Sequence, residues 1–404
     1  MAPGRTRLAM NASKAPLPLT VITHEFFPMM GGIATFVEEM ATALHELGHR
    51  TEVWAPLRHT TLERRFPFAI KRVPLKGTQD LSCQLRMARE MVAHRAQLQR
   101  GIVYLPEPGP LLAMTYLQFF RVFKPARLVL TFHGSEVQSF ASRPAARLLV
   151  GQLVRAADRI STPSRFTRNL LARHFPAAAS KTVLTPGAVR AHFNAGQPVR
   201  GAEAGKVVIV TVGRLHPRKG QLHVLEALNT LPDSVLKGVE YWIIGRSVRG
   251  DYEARLRRRA AQSRVPVTFH GNIDHDDLEL VYRRSDIFAL TSVNHGHSVE
   301  GFGLAYLEAS SFGLPIVGHD VGGVSEAVLH GRTGLLVPAE DRAALAGALQ
   351  KLICDERLRR ELGQNGARWA REHSWRDSAR ALVEGIAFSG HAHPGLAEAR
   401  LQPA

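Results

Sequence analysis

Residues 207–228 read V-V-I-V-T-V-G-R-L-H-P-R-K-G-Q-L-H-V-L-E-A-L. The six residues from Val207 to Val212 are apolar or β-branched, a short run that suits a strand buried on both faces. A glycine-bounded loop, residues 213–220, follows it and leads into apolar residues at helical spacing through Leu228. Strand, glycine loop and helix make the repeating unit of a doubly wound parallel sheet. The same unit occurs near the start of the chain, as a strand at 19–24, the loop Glu25-Phe26-Phe27-Pro28-Met29-Met30-Gly31-Gly32, and a helix from Ile33 to about Leu47. The pattern therefore begins twice, and the expected fold is α/β with two Rossmann-like domains.

Working outward, the first half carries further strands at 50–55, 102–105, 128–132, 159–162 and 182–184. Helices at 81–100, 110–123 and 145–157, and one opened by Ser164, separate them. The second half continues with strands at 241–244, 267–269, 287–290 and 315–318. A length of 404 residues suits two domains of about 200. The expected boundaries are a leader over 1–18, domains over 19–198 and 206–374 joined by a linker at 199–205, a helix at about 375–388, and a tail over 389–404. Residues 58–76 mix arginines and lysines with Phe66, Phe68 and Ile70, which fits either an interfacial membrane contact or a basic connection with its apolar residues turned inward.

Composition narrows the function classes. Two cysteines, Cys83 and Cys354, lie far apart, so a disulfide framework and a thiolate metal site are both unexpected and a reducing cytoplasm is the expected setting. No apolar run reaches the length of a membrane span. The formal charge of +17 is lopsided: residues 1–200 hold 27 Lys and Arg against 11 Asp and Glu, a net of +16. Such a field favours an anionic partner, whether nucleic acid, acidic membrane or acidic substrate.

Residues 298–317, S-V-E-G-F-G-L-A-Y-L-E-A-S-S-F-G-L-P-I-V, carry the sharpest chemistry. Glu300 and Glu308 bracket a Gly-Phe-Gly turn and the first turns of a helix expected from Leu304 to Gly313. The free N–H groups of such a turn face an anion, and with Glu300 just before those donors and Glu308 one helical turn further in, the two carboxylates can address one elongated ligand at two points. Arg214 and Lys219 flank the loop after residues 207–212, placed to grip a diphosphate. His133 ends a buried strand, where open α/β sheets bind ligands, and Gly31 and Gly32 permit close backbone approach. Asp274-His275-Asp276 contains D-x-D, a metal-binding pattern elsewhere, but Asp274 opens a helix and reads as its N-cap.

The combination of F-P-M-M-G-G-I-A, T-F-H-G-S-E, V-G-R-L-H-P-R-K-G and E-G-F-G-L-A-Y-L-E-A resembles the retaining nucleotide-sugar glycosyltransferases of family four, over about residues 19–386. Its closest look is to the phosphatidyl-inositol mannosyltransferase branch. The resemblance implies the GT-B fold, two doubly wound domains facing across a cleft, and a hexosyl transfer from a nucleotide-sugar donor to a lipid-linked or glycan acceptor. It implies donor contacts from Gly31, Gly32, Ile273 and the backbone of Phe302, Gly303 and Leu304, with Glu308 on the ribose. It also implies that His133 lies near the transferred sugar, Glu300 contacts that sugar, and Arg214 and Lys219 stabilise the departing diphosphate. No metal or other cofactor and no nucleic acid are expected, and the basic first domain is expected to meet an acidic membrane surface from the cytoplasmic side. The sequence Thr185-Pro186-Gly187-Ala188-Val189-Arg190 departs from the family's Asn-Gly-Val-Asp turn, and Asn294-His295-Gly296-His297 enlarges the loop before Glu300. A sugar phosphorylase or epimerase of the same fold, and a non-catalytic basic module, are the alternatives.

Overall fold

A computed structural model describes residues 17–58, 65–78, 80–120, 123–193, 206–248 and 250–386. The expected linker, the tail, and residues 1–16 of the leader lie outside the described residues. The first sheet holds β1 (Leu19–Ile22), β2 (Thr51–Pro56), β3 (Ala69–Val73), β4 (Ile102–Leu105), β5 (Arg127–Thr131), β6 (Arg159–Thr162) and β7 (Thr182–Leu184). Their spatial order is β3-β2-β1-β4-β5-β6-β7. The second holds β8 (Val207–Val212), β9 (Val239–Ile244), β10 (Val267–Gly271), β11 (Ile287–Leu290), β12 (Ile316–His319) and β13 (Gly334–Val337), in the order β10-β9-β8-β11-β12-β13.

Every pairing is parallel. Each sheet reverses its order once, between β1 and β4 and between β8 and β11. At such a point the loops after neighbouring strands leave to opposite sides and open a crevice at the strands' C-terminal ends. The fold is the expected pair of Rossmann-like domains.

Several elements differ locally from expectation, each for a physical reason. The first strand stops at Ile22 because Thr23 Oγ1 accepts from the Glu25 N–H at 2.9 Å and His24 N–H turns to Glu107 Oε1 at 2.7 Å. The helix expected over 81–100 breaks at His94 (φ −111°, ψ 21°), giving Leu81–Ala93 and Arg95–Gln99. Strand β3 was hidden by its own Lys71 and Arg72, charges that suit an edge strand. Phe66 and Phe68 of that stretch pack on Phe26, with ring centroids 5.0 and 6.4 Å away. Those rings therefore turn inward. Pro18 is bound to the sheet rather than loose, its carbonyl accepting from Ile102 N–H at 2.8 Å.

The helix Trp375–Val383 packs against the first-domain helix Gly32–Glu46. Trp375 lies 5.5 Å from the Phe36 ring and its Nε1 donates to Val189 O at 3.0 Å, while Ser378 Oγ donates to Pro186 O at 2.7 Å. Ala379, Leu382 and Val383 are buried in the same apolar cluster as Phe36, Val37 and Met40. Trp375→Ala is therefore expected to lower stability by about 3–5 kcal/mol in urea unfolding, as for other buried aromatic truncations; a change below about 1 kcal/mol would mean the helix end is not anchored there.

Candidate functional site

The two switch points bring the sequence-predicted residues to one cleft. From β1 come the 25–32 loop and Gly31–Gly32; a Cβ added at either glycine would meet nothing within 4 Å. From β5 comes His133, whose Nε2–H donates to Pro106 O at 2.8 Å and whose ring meets the Phe36 edge at 5.0 Å. From β8 comes the turn Pro217–Lys219, opened by His216, whose Nδ1 accepts from Arg218 N–H at 3.1 Å. From β11 comes the loop to Glu300.

The turn at 300–304 is shaped by its glycines. Gly303 has φ +92°, and a Cβ there would lie 2.5 Å from the Tyr306 ring. A Cβ on Gly301 would come within 1.9 Å of His133 O, so only glycine lets the two domains meet at this point. Phe302 is buried beneath the turn, and the helix Leu304–Ser311 begins directly after it. Its first N–H groups lack intrahelical partners and face forward.

Glu300 is 7% exposed and its two oxygens differ. Oε2 accepts from Lys219 Nζ at 2.6 Å, Ser292 Oγ at 2.8 Å and Arg218 NH1 at 2.9 Å. Oε1 carries no hydrogen bond from a described residue. Burial pulls the carboxyl upward, but Lys219 and Arg218 outweigh it and hold it at about 2. The carboxylate is thus permanently charged, pinned on one side and open on the other.

The expected cation pair is rearranged. Lys219 is coupled to Arg218 through Glu300, whereas Arg214 stands exposed in the cleft and forms no ion pair with a described residue. Arg218 was not singled out from the sequence, although it sits inside the quoted H-P-R-K-G. Glu308 is also engaged: Arg190 Nε donates to its Oε1 at 2.7 Å, with side chains 13% and 4% exposed. Arg190 lies in the departed 185–190 turn, so that departure supplies a buried partner to a site carboxylate. Ile273 is half-buried after β10, and the neighbouring Asn272 reaches Met30 of the first domain at 3.6 Å. Asp274 caps the helix His275–Arg283, its side chain accepting from Asp277 N–H. One D-x-D carboxylate is therefore used locally.

Residues 30–193 match the family described as Glycosyltransferase Family 4, and residues 196–369 match Glycosyl transferases group 1. A GDP-mannose-dependent alpha-(1-6)-phosphatidylinositol monomannoside mannosyltransferase from Mycolicibacterium smegmatis is 30% identical over 387 residues, covering 91% of this chain and 97% of that protein. Among solved structures, sucrose-phosphate synthase from Thermosynechococcus elongatus superposes with a TM-score of 0.74 at 22% identity, over 90% of this chain and 96% of that one. The Anabaena protein HepE, crystallised with UDP and glucose, gives 0.73 at 18% identity, over 91% and 98%. The two structural likenesses are to the fold.

The depressed Glu300 sets a pH dependence. Its stabilising charge is complete above the ordinary carboxyl value of 4.5 and is lost as pH falls from there toward 2. Between pH 6 and 3.5 the wild type is expected to lose about 1–2 kcal/mol from this group that Glu300→Gln does not lose. Urea unfolding of both proteins at the two pH values checks this, and parallel losses would refute it. The variant is also expected to be about 3–5 kcal/mol less stable at pH 7, because Lys219 and Arg218 keep buried charge without an anion.

Proposed function

Because the chain belongs to the glycosyltransferases of group 1 and family 4, we propose that it is a retaining, metal-independent hexosyltransferase that moves mannose from GDP-mannose to a lipid-linked acceptor at a membrane surface. The donor and the acceptor class are those in the name of its mycobacterial relative. Retention follows the family resemblance. The observation that carries the reading is the divided carboxylate of Glu300, with Oε2 fixed by Lys219, Arg218 and Ser292 and Oε1 open.

On this reading the hexose lies against Glu300 Oε1, which accepts a hydrogen bond from a sugar hydroxyl. The diphosphate lies before the N-terminus of the helix Leu304–Ser311, between Lys219, Arg218 and Arg214. As the bond from the sugar to the phosphate breaks, negative charge grows on the leaving oxygen, and these fixed cations and N–H groups stabilise it without a divalent ion. Glu308 takes a ribose hydroxyl while Arg190 holds its other face. Closure of the first domain over the donor excludes water.

Exposed apolar residues support the membrane placement. Leu81 and Leu85 on one helix, Phe119 and Phe120 after the next, and Leu148 on a third are each more than half exposed on the basic first domain. Those helices pack side by side in the order 81–93, 108–117, 144–156. Arg86, Arg89 and Arg147 accompany them. Apolar side chains among arginines match the boundary of an anionic bilayer. No described helix is long and apolar enough to cross one.

Thermal unfolding with GDP, UDP or ADP in EDTA tests the donor site. GDP at about a hundred times its dissociation constant is expected to add about 2.7 kcal/mol of stability, and Glu308→Ala is expected to abolish the gain. The absence of a gain with all three nucleotides, or a gain that vanishes in EDTA, would overturn the proposal. In flotation assays the protein is expected to follow phosphatidylinositol-containing vesicles at low salt and to leave them when Phe119 and Phe120 are both changed to Ser; equal recovery of the two proteins would refute that surface.

A further inference from the structure

Three carboxylates stand at the cleft ends of the first sheet: Glu25 after β1, Glu107 after β4 and Glu136 after β5. Two of them are occupied with the backbone. Glu107 is buried, taking His24 N–H on Oε1 at 2.7 Å and Gly109 N–H on Oε2 at 2.6 Å. Glu136 Oε1 accepts from His133 N–H and, at 3.4 Å, from Gly134 N–H. These bonds fix the 23–26 and 133–136 loops in place.

Glu25 differs from both. Its backbone is locked, since Thr23 Oγ1 accepts from Glu25 N–H and donates to Glu25 O. Its half-buried carboxylate, however, has no hydrogen bond or ion pair with a described residue. His133 of the same domain and Arg214 and Arg246 of the other are near enough to act on it through their charge, and neither arginine closes on it. Arg214 is also within electrostatic reach of Glu300. Glu25 thus stands on the wall of the cleft opposite the donor residues, with its loop immobilised and its oxygens unused.

We propose that Glu25 is the acceptor-binding residue of this enzyme, taking a hydrogen bond from the reacting hydroxyl of an uncharged polyol ring. The proposal rests on the glycosyltransferase reading above. An unused carboxylate on a fixed loop presents strong acceptors and no donor, which suits a hydroxyl. It repels a phosphate at the same place, and Glu136 beside it adds to that repulsion. Burial raises the Glu25 carboxyl above its ordinary value, against the opposing pull of His133, Arg214 and Arg246, and this strengthens it as an acceptor. Any phosphate of the acceptor must therefore lie away from the hydroxyl that reacts.

The test uses the full chain with GDP-mannose and three probes: methyl α-mannoside, myo-inositol and mannose 6-phosphate, with mannosylated product read by mass spectrometry. The wild type is expected to transfer to at least one neutral probe, and to mannose 6-phosphate at least tenfold more slowly than to methyl α-mannoside. Glu25→Gln keeps the size of the side chain and is expected to reduce transfer about 100-fold, the scale of a misplaced reacting group, while its GDP-induced thermal shift matches the wild type. Transfer by Glu25→Gln within threefold of the wild type would overturn the proposal. So would GDP binding by the wild type without transfer to either neutral probe, or loss of the GDP shift in the variant, which would put Glu25 on the donor side. Absence of any nucleotide shift in the wild type would instead remove the glycosyltransferase reading, and this proposal with it.

Discussion

Three donors converge on Glu300 Oε2, and the rest of the site is arranged around that convergence. A carboxylate this buried persists as an ion only when paired and hydrogen-bonded, so its partners must be held as firmly as it is. Lys219 and Arg218 come from the short turn after β8, and Ser292 and Glu300 from the loop after β11. Those strands are neighbours at the switch point of the second sheet. The ion cluster therefore ties together the two loops that topology leaves free to diverge. Glu300 O in turn accepts from Gly323 N–H at 2.9 Å, which fixes the backbone behind the charge.

The same turn is also a place where the domains touch. Ser164 Oγ donates to Gly301 O at 2.5 Å, and Ser135 Oγ exchanges bonds with Val299 N–H and O at 3.1 and 3.2 Å. Further out, the Glu326 carboxylate accepts from the N–H groups of Arg165 and Phe166, capping a first-domain helix from the second domain. These contacts use backbone groups and small hydroxyls, which lets main chains approach closely. A turn that carries Glu300 and also seats the opposite domain ties the contact between the domains to the placement of that carboxylate.

Much of this was legible in the sequence because it depends on local signals. Val207–Val212, Ile287–Leu290 and Thr182–Leu184 are short apolar or β-branched strands, and Asp274 and Ser164 are N-caps, as their spacing indicates. What failed were features decided by tertiary contact. Strand β3 looks like a charged loop until it is placed at an edge, and β13 opens on Gly334, a residue that weakens a strand signal, until it is paired with its neighbour β12. At the site, the residue types were readable but their pairing was not. Arg218 and Arg190 become significant only when the fold sets them 2.9 and 2.7 Å from carboxylates 82 and 118 positions away. Glu25 was passed over for the glycines beside it, since nothing in F-F-P-M-M-G-G tells which polar group the fold will leave unpaired.

The charge of the first half acquires a different meaning once its distribution is known. The excess of arginine and lysine in residues 1–200 is formal, whereas the end of the sheet that faces the cleft is lined by Glu25, Glu107 and Glu136. Burial raises the Glu107 carboxyl against the pull of the His24 and Gly109 N–H groups, and Glu25 and Glu136 add to that rise. Proton-accepting groups thus stand at the cleft end of a sheet whose half of the chain is formally basic. On the proposed reading, an amphiphilic acceptor brings its hydroxyls to these groups and keeps its anionic portion away from them. A phosphate brought to this wall meets the charge of Glu25 and Glu136, whereas a hydroxyl meets acceptors it can donate to, and the cations of the cleft lie on the opposite wall at Arg214, Arg218 and Lys219.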